Sequence, residues 1–471
     1  MSFIRQPRPQ SLRSFADAQP MPFWLDDVMR PTAVETLTAS ISADLLIIGG
    51  GFTGLWAALM AKEANPGRDI VLIEAAETAS GASGRNGGFM EASLTHGFQN
   101  GLEKWPSELA SLLRLGHKNL SEIESTITRL GIDCDFLRSG ELLVATEPYQ
   151  VDGIRSTLAA RLDYGENVSW LDGDQTRELV NSPLYLGAVF NRNVAMLNPA
   201  RLAWGLRQAC LNLGVRFYEN TPATRIEDSG KFLQVYTPKA QIRAAQMALA
   251  TNAFPPLLKR LSYYIVPVYD YVLVTEPLSA AQREEVGWDA RQGVGDAGNQ
   301  FHYYRMTQDG RILWGGYDAV YYPNNGFGPH LEHNQESFGR LAEHFFQTFP
   351  QLDGLRFSHA WGGAIDTCSR FSVFWGTAHA GRSAYALGYT GLGVGSSRFG
   401  ARVMLDLLEG QSNERTNLQM VRQKPVPFPP EPFRSPIINL TRRALDDADQ
   451  NQGRRNLWLR ILDLFGLGFD S

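Results

Sequence analysis

Cysteine is scarce: the 471 residues hold three, Cys134, Cys210 and Cys368. So few thiols, so widely spaced, exclude a disulfide framework and a zinc site and suit a reducing cytoplasm. Long apolar runs are also missing. Nothing approaches the roughly 20 residues of a spanning helix, and no apolar run precedes Pro31, so neither a membrane span nor a secretory leader is expected. Excess charge of one sign is absent too. Lys+Arg 44 against Asp+Glu 49 gives a net charge of -5, which provides no global attraction to nucleic acid or to an anionic membrane and argues for a small-molecule partner. His96, His117 and His359 lack ligand-like spacing, so no metal site is expected. There is no internal repeat or low-complexity block.

What is present begins after an irregular leader, 1–40. Ala43 to Ile48 is a short apolar run of parallel-strand character, ending in Gly49-Gly50-Gly51-Phe52-Thr53-Gly54. A helix follows and stops near Asn65-Pro66-Gly67, and Asp69 to Glu74 makes a second strand. Gly49, Gly51 and Gly54 form G-x-G-x-x-G between strand and helix, and Glu74 lies twenty residues past the last glycine. Gly49 permits the turn, Gly51 lets a pyrophosphate approach the backbone, and Gly54 lets helix and strand pack closely. The helix N-terminus adds N–H donors and partial positive charge. Glu74 suits a ribose 2'-OH and disfavours a 2'-phosphate, so NADP is not expected.

A length of 471 residues exceeds a single core, so two domains are expected. The fold class read from the pattern is α/β: a Rossmann-type dinucleotide-binding domain interleaved with an α+β substrate domain on a mostly antiparallel sheet. Segments 41–97, 192–262 and 355–412 are assigned to the first, and 98–191 and 263–354 to the second. The second contains amphipathic helices such as Ser111 to Leu130, the strand Gly140 to Ala145, and antiparallel strands at 265–275, 301–306 and 311–316. The last two are joined by Gln308-Asp309-Gly310. Residues 413–471, Pro-rich at 425–436 and then helical and Arg-rich, read as a tail packed on the surface.

Ser80-Gly81-Ala82-Ser83-Gly84-Arg85-Asn86-Gly87-Gly88 follows the second strand as a small-residue loop with one Arg and one Asn. With the fingerprint, it makes the chain resemble the D-amino acid oxidase-type (DAO) FAD-dependent oxidoreductases, nearest to gamma-glutamylputrescine, glycine and sarcosine oxidase-like members, over about Asp44 to Gly410. Leu249-Ala250-Thr251-Asn252-Ala253 resembles the strand end that returns to the cofactor, Ala223 sits where the family's backbone meets the adenine, and Gly388 to Gly395 resembles the late glycine loop facing the flavin pyrimidine. The resemblance implies FAD contacts at Gly49, Gly51, Phe52, Thr53, Gly54, Glu74, Ala75, Ser80, Ser83, Arg85, Asn86, Gly87, Gly88, Ala223, Thr251, Asn252, Gly391, Leu392, Gly393 and Val394. Arg85 is expected near the pyrophosphate and Asn86 near the ribityl chain or flavin ring. A helix N-terminus at the late loop can stabilise charge gathered around N1.

Two departures stand out. Members with covalent flavin carry a Cys before a Thr-Pro-Asp motif, whereas here Cys368 follows Thr367, so FAD is expected to be non-covalent and Cys368 a packing residue. Sarcosine-oxidase-like members place a Lys near the flavin to assist reaction with oxygen, but this chain has none between Lys259 and Lys424. Oxygen or another electron acceptor therefore needs a different cation, with Arg305 and His302 the local candidates.

The candidate catalytic residues are Arg305, His302 and Tyr304, on the strand Phe301 to Met306. Alternation puts His302, Tyr304 and Met306 on one face and Phe301, Tyr303 and Arg305 on the other. If the second face meets the substrate, Arg305 can hold a carboxylate; if the first, the pocket is aromatic with one imidazole. A third alternative makes Arg305 an ion-pair residue. Tyr269, Tyr271, Trp314 and Trp361 suit a core as well as a pocket.

The resemblance implies oxidation of the C–N bond of a small amine or amino-acid-like substrate, by hydride transfer to an imine that water hydrolyses. A flavin hydroxylase using NAD(P)H is an alternative, because Gly293 to Gly298 echoes a Gly-Asp motif of such enzymes, although the segment reads as a loop. A non-catalytic flavin-binding protein is another, because Arg454 to Phe465 is amphipathic enough to dock a partner or lie on a membrane surface; self-packing is the commoner fate of such a helix.

Overall fold

The computed structural model describes residues 3–4 and 6–464. The end of the expected tail, 465–471 with Phe465, and leader residues Met1, Ser2 and Arg5 lie outside the described residues.

The strands, in chain order, are β1 (Ile41–Ile48), β2 (Ile70–Ile73), β3 (Phe89–Glu91), β4 (Glu141–Ala145), β5 (Val168–Asp172), β6 (Gly187–Asn191), β7 (Val194–Met196), β8 (Arg216–Tyr218), β9 (Arg225–Asp228), β10 (Leu233–Tyr236), β11 (Gln241–Leu249), β12 (Val266–Thr275), β13 (Gly293–Asp296), β14 (His302–Met306), β15 (Ile312–Gly316), β16 (Val320–Tyr321), β17 (Phe357–Thr367), β18 (Phe374–Ala378) and β19 (Ser383–Leu387). They build an eight-stranded sheet, β18-β19-β11-β1-β2-β8 with β10 on β11 and β9 on β10; a nine-stranded sheet, β16-β12-β15-β14-β13-β4-β6-β5 with β17 on β12; and the ribbon β3-β7.

The first sheet is parallel where the fingerprint requires it. β1 lies between β2 and β11, all three running the same way. Leu45, Leu46 and Ile47 of β1 and the whole of β2 are buried, as strands covered on both faces should be. The helix Phe52–Ala64 returns over this sheet and shares a core with Pro199–Asn212 and Gly393–Leu408. The second sheet is mostly antiparallel, and its far face is covered by the helix Gln335–Thr348, whose Phe338, Leu341, Phe345 and Phe346 close a second core. The whole is the mixed α/β architecture the pattern implied.

Four segments depart from expectation. The helix Leu109–Leu130 was assigned away from the nucleotide-binding layer, but Leu112, Leu115, Leu120, Ile123 and Ile127 pack in the core of that layer. An amphipathic pattern specifies a buried face without specifying its partner. β17 was grouped with 355–412 on the nucleotide side, yet it pairs antiparallel along the length of β12 in the large sheet. Gly293–Asp296, read as a loop, is a strand between β4 and β14, because ladder bonds on both sides compensate for its poor intrinsic propensity. The 1–40 leader contains a short helix, Pro9–Ser14, and is anchored where Trp24 Nε1 donates to Asn86 O at 2.7 Å.

The ribbon is pinned to the large sheet by Arg305. Its guanidinium donates to Leu197 O at 2.7 Å and Gly88 O at 3.3 Å, and lies 3.6 Å from Asp135. Burial lowers its pKa to about 10, against the pull of Asp135. Arg305→Ala leaves the Leu197 carbonyl without its donor in the interior, while Gly88 O keeps Leu197 N and Asp135 keeps Arg291. It should cost about 3 kcal/mol, read as a lowered urea midpoint with an unchanged denaturant slope.

Candidate active site

Both sheets open onto one cavity of about 1510 Å³, more than the roughly 300–1,000 Å³ typical of a small-ligand pocket. Its nucleotide end is made by the fingerprint. Gly49 takes φ 114°, and a Cβ there would lie 2.3 Å from Ala250 O. A Cβ on Gly54 would lie 1.9 Å from Gly49 O, and one on Gly51 would lie 2.9 Å from Ser83 Oγ. These three approaches leave a bare backbone cradle at the N-terminus of Phe52–Ala64, where N–H groups and the helix dipole favour an anion. The Ser83 hydroxyl accepts from Phe52 N at 2.9 Å. Glu74 closes the end of β2, accepting from Gly50 N at 2.6 Å and Ala76 N at 2.9 Å. Burial raises its pKa more than these bonds lower it, and lone pairs remain for a ribose hydroxyl. The cradle and the acid therefore fit a dinucleotide.

Of the residues expected at the cofactor, Gly49, Gly51, Phe52, Thr53, Glu74 and Ala75 line the cavity. So do Ser83, Arg85, Asn86 and Gly87, with Ala223 in the loop after β8 and Thr251 and Asn252 just past the end of β11. Gly391, Leu392, Gly393 and Val394 border it at the start of the helix Gly393–Leu408. Gly54, Ser80 and Gly88 are not on the wall. Gly54 packs behind Gly49, Ser80 O accepts from Arg85 Nε at 2.7 Å, and Gly88 O accepts from Arg305.

Arg85 and Asn86 reach the wall already engaged. Arg85 donates to Gly362 O and pairs with Glu332 at 2.7 Å. Asn86 donates to Ala82 O and accepts from Gly88 N, bracing its own loop.

The late glycine loop is held by Asp366, at the end of β17, which accepts from Gly388 N at 2.6 Å. Burial pushes that carboxyl up to about 7. Thr53 Oγ1 donates to Tyr389 OH at 2.9 Å, tying the first helix of the nucleotide half to the last. The cysteine next to this loop, Cys368, is buried with its thiol directed at Ser372 O and Gly388 O.

The expected catalytic side chains lie elsewhere. His302 and Tyr304 point away from the cavity into the core under Gln335–Thr348. Tyr304 OH meets Tyr185 OH at 2.8 Å, and His302 bridges Asp296 at 2.6 Å and His344 at 2.9 Å. Arg305 shares a face with Tyr303 but lies beyond the cavity, beneath the β3-β7 ribbon. Tyr269, Tyr271, Trp314 and Trp361 are buried core residues. The tail, expected on the surface, contributes Val426 to Pro429, Ile437 and Leu445 to the cavity wall.

Residues not singled out from the sequence occupy the floor. Val266, Val268, Asp270 and Val272 alternate toward the cavity along β12. Asp270 accepts from Tyr303 OH at 2.5 Å, and burial raises its pKa to about 6. The signal was an aspartate flanked by Tyr269 and Tyr271 in an otherwise apolar strand. At the far end Glu91 and Glu141 also line the wall.

Among the described residues no His/Cys/Asp/Glu group could hold a metal, and no helix is long and apolar enough to cross a membrane.

The sequence pattern of the DAO family, FAD dependent oxidoreductase, matches residues 44–407. The gamma-glutamylputrescine oxidoreductase of Escherichia coli K12 is 31% identical over 391 residues, covering 80% of this chain and 86% of that protein. A probable oxidoreductase OrdL of Haemophilus influenzae is 27% identical over 411 residues, 84% of this chain and 89% of its own. Among solved structures, glycine oxidase from Geobacillus kaustophilus superposes with a TM-score of 0.67 at 17% identity, over 79% of this chain and 96% of that one.

Gly49→Ala combines an unfavourable φ with the Ala250 clash. A strain of about 2 kcal/mol or more should lower FAD affinity at least about tenfold. The ratio of visible flavin absorbance to protein absorbance in the purified variant measures it.

Proposed function

The chain belongs to the DAO family of FAD-dependent oxidoreductases, and we propose that it oxidises the C–N bond of a small amine or amino-acid-like substrate to an imine. The observation that carries this reading is one cavity joining the dinucleotide cradle to a floor with an acid–phenol pair, Asp270 and Tyr303. The relatives named as acting on glycine and on gamma-glutamylputrescine support it.

FAD would be held by the 49–54 turn, Glu74, the 80–88 loop and the start of Gly393–Leu408. We read it as non-covalent, because the buried Cys368 thiol is raised in pKa and directed at two carbonyls. When bound, FAD supplies two-electron oxidation by accepting a hydride from the substrate carbon.

The protein's part is to take up a proton, orient the amine and exclude water. The Tyr303 hydroxyl donates to Asp270 Oδ2, so its lone pairs remain for an N–H of the substrate. Burial beside Asp270 holds Tyr303 well above the usual phenol range, so it acts as a neutral relay. The ammonium proton passes through the hydroxyl to Asp270, leaving the nitrogen lone pair to assist departure of hydride. The apolar floor and the tail keep water from the reacting carbon. Oxygen or another acceptor would take the electrons, and a cytoplasmic setting agrees with three buried, unpaired cysteines.

A hydroxylase reading is less favoured. The aspartate of its Gly-Asp echo, Asp296, is engaged by His302.

Anaerobic mixing with amines and amino acids should bleach oxidised flavin, while NADH and NADPH should not. Bleaching by a nicotinamide and by no amine would replace this reading with the hydroxylase, and the rate of colour recovery in air separates an oxidase from a dehydrogenase. Tyr303→Phe should lower kcat/KM by roughly 10²-fold. Asp270 must be ionised to accept a proton, so kcat/KM should rise with pH through about 6, and Asp270→Asn should remove that limb.

A further inference from the structure

Resting on the reading that FAD fills the cavity, we infer that Asp366, at the end of β17, couples the cofactor's electrons to a proton. Its carboxylate is ionised beside oxidised FAD, takes up one proton from the medium when FAD is reduced, and so sets the reduction potential.

The order of the parallel sheet decides which half of the dinucleotide meets Asp366. β2, β1, β11 and β19 run the same way, so their C-terminal ends share one edge. Glu74, the acid that suits a ribose, follows β2, and the bare cradle follows β1. A dinucleotide with its adenosine at β2 and its pyrophosphate at β1 extends its other half toward the ends of β11 and β19. The late glycine loop follows β19, and Gly391 to Val394 border the cavity there together with Asp366.

The loop is shaped around this carboxylate, which is only 1% exposed. Gly388, Thr390 and Gly391 take φ 80°, 50° and 93°, and such left-handed turns direct successive N–H groups to one side, as in an anion-binding nest. The occupant is Asp366. Its Oδ2 accepts from Gly388 N at 2.6 Å, and the N–H groups of Tyr389 and Thr390 also favour its charged form. The β-branched Thr390 is strained in that region, so the nest is built for a carboxylate of the protein at a cost to its own backbone.

Partial charges serve Asp366, but no full cation does. Among the described residues it has no ion pair. Arg370, four residues on, donates to Ser372 O, Met420 O and Gln423 O, and Arg85, packed against Gly363, pairs with Glu332. The Cys368 thiol and the Tyr389 hydroxyl are both pushed up by burial and stay neutral, and the facing residues of β12, Val266 to Val268, carry no charge. Burial outweighs the loop N–H groups and lifts Asp366 to about 7. Its charge can therefore change at neutral pH.

Two electrons and one proton added to FAD leave one net negative charge in the same dry cavity. That charge raises the proton affinity of Asp366, which takes a second proton from the medium and cancels it. Two electrons then travel with two protons. The potential accordingly falls by about 60 mV per pH unit where Asp366 titrates, against about 30 mV where only one proton moves.

The test reduces the purified holoenzyme with dithionite against a reference dye and uses no amine, so it stands apart from the substrate reading. Between about pH 7 and about pH 8 the wild-type potential should fall by about 60 mV per unit, and that of Asp366→Asn, which keeps an acceptor for the loop without the charge, by about 30 mV. The two should agree at about pH 6, and at about pH 8 the variant should lie about 30 mV higher, a tenfold change in the two-electron equilibrium. Equal slopes in the two proteins would overturn the inference. An indicator in weak buffer, corrected for the reductant's own protons, counts uptake by the wild type alone. Two protons per electron pair are expected, and one would overturn the inference whether or not the variant folds. Leu392→Trp, which fills the cavity at the late loop, should lower FAD content. Full content would overturn the inference at its premise, the placement of FAD, which the slopes by themselves do not report.

Discussion

The contact on which the rest depends is the approach of Gly54 to the carbonyl of Gly49, so close that a Cβ would lie 1.9 Å from the oxygen. Only backbone fits there, so the helix Phe52–Ala64 begins directly against the end of β1 with its N–H groups directed outward. From that placement follow the position of Glu74 at the end of the adjacent strand, the bond from Phe52 N to Ser83, and the docking of the 80–88 loop. Thr53 then reaches Tyr389 and carries the constraint to the second glycine loop and the helix Gly393–Leu408. Two helix N-termini thus border one cavity, each contributing partial positive charge without a lysine.

The opposite end of the cavity has the opposite character. Its floor is a sheet whose inward positions include the acids Asp270 and Glu141, and burial raises both. Asp270 is stabilised by Tyr303 and by backbone N–H groups; Glu141 has only the neighbourhood of a guanidinium already bonded to Glu166. Partial positive charge thus borders the nucleotide end, and the carboxylates of Glu91 and Glu141 border the far end near Arg161. A cofactor rich in phosphate suits the nucleotide end. The tail segment Val426 to Pro429 contributes to the wall, so the C-terminal segment helps shape the cavity.

Much of this was legible in the chain. The strand–turn–helix–strand at Ala43 to Glu74 is local, and its glycines have steric reasons that need no partner, so the sequence by itself determined the nucleotide cradle and, through the resemblance of the following loops, the family. The antiparallel strands around 265–316 were legible for the same reason: period-two alternation and turn residues act over a few positions.

Only the tertiary structure decided which face of β14 meets the cavity. Alternation divides His302 and Tyr304 from Tyr303 and Arg305 but is silent on which side is covered. The helix Gln335–Thr348, distant in sequence, packs against the first set and makes it core. Arg305, on the correct face, was lost to the site because the β3-β7 ribbon, brought in from two distant segments, lies over it. Glu91 and Glu141 were illegible because each is an ordinary strand-end glutamate in one dimension. They meet when β3 and β4 fold onto one cavity wall near Arg161, a property of three-dimensional neighbours that no local pattern encodes.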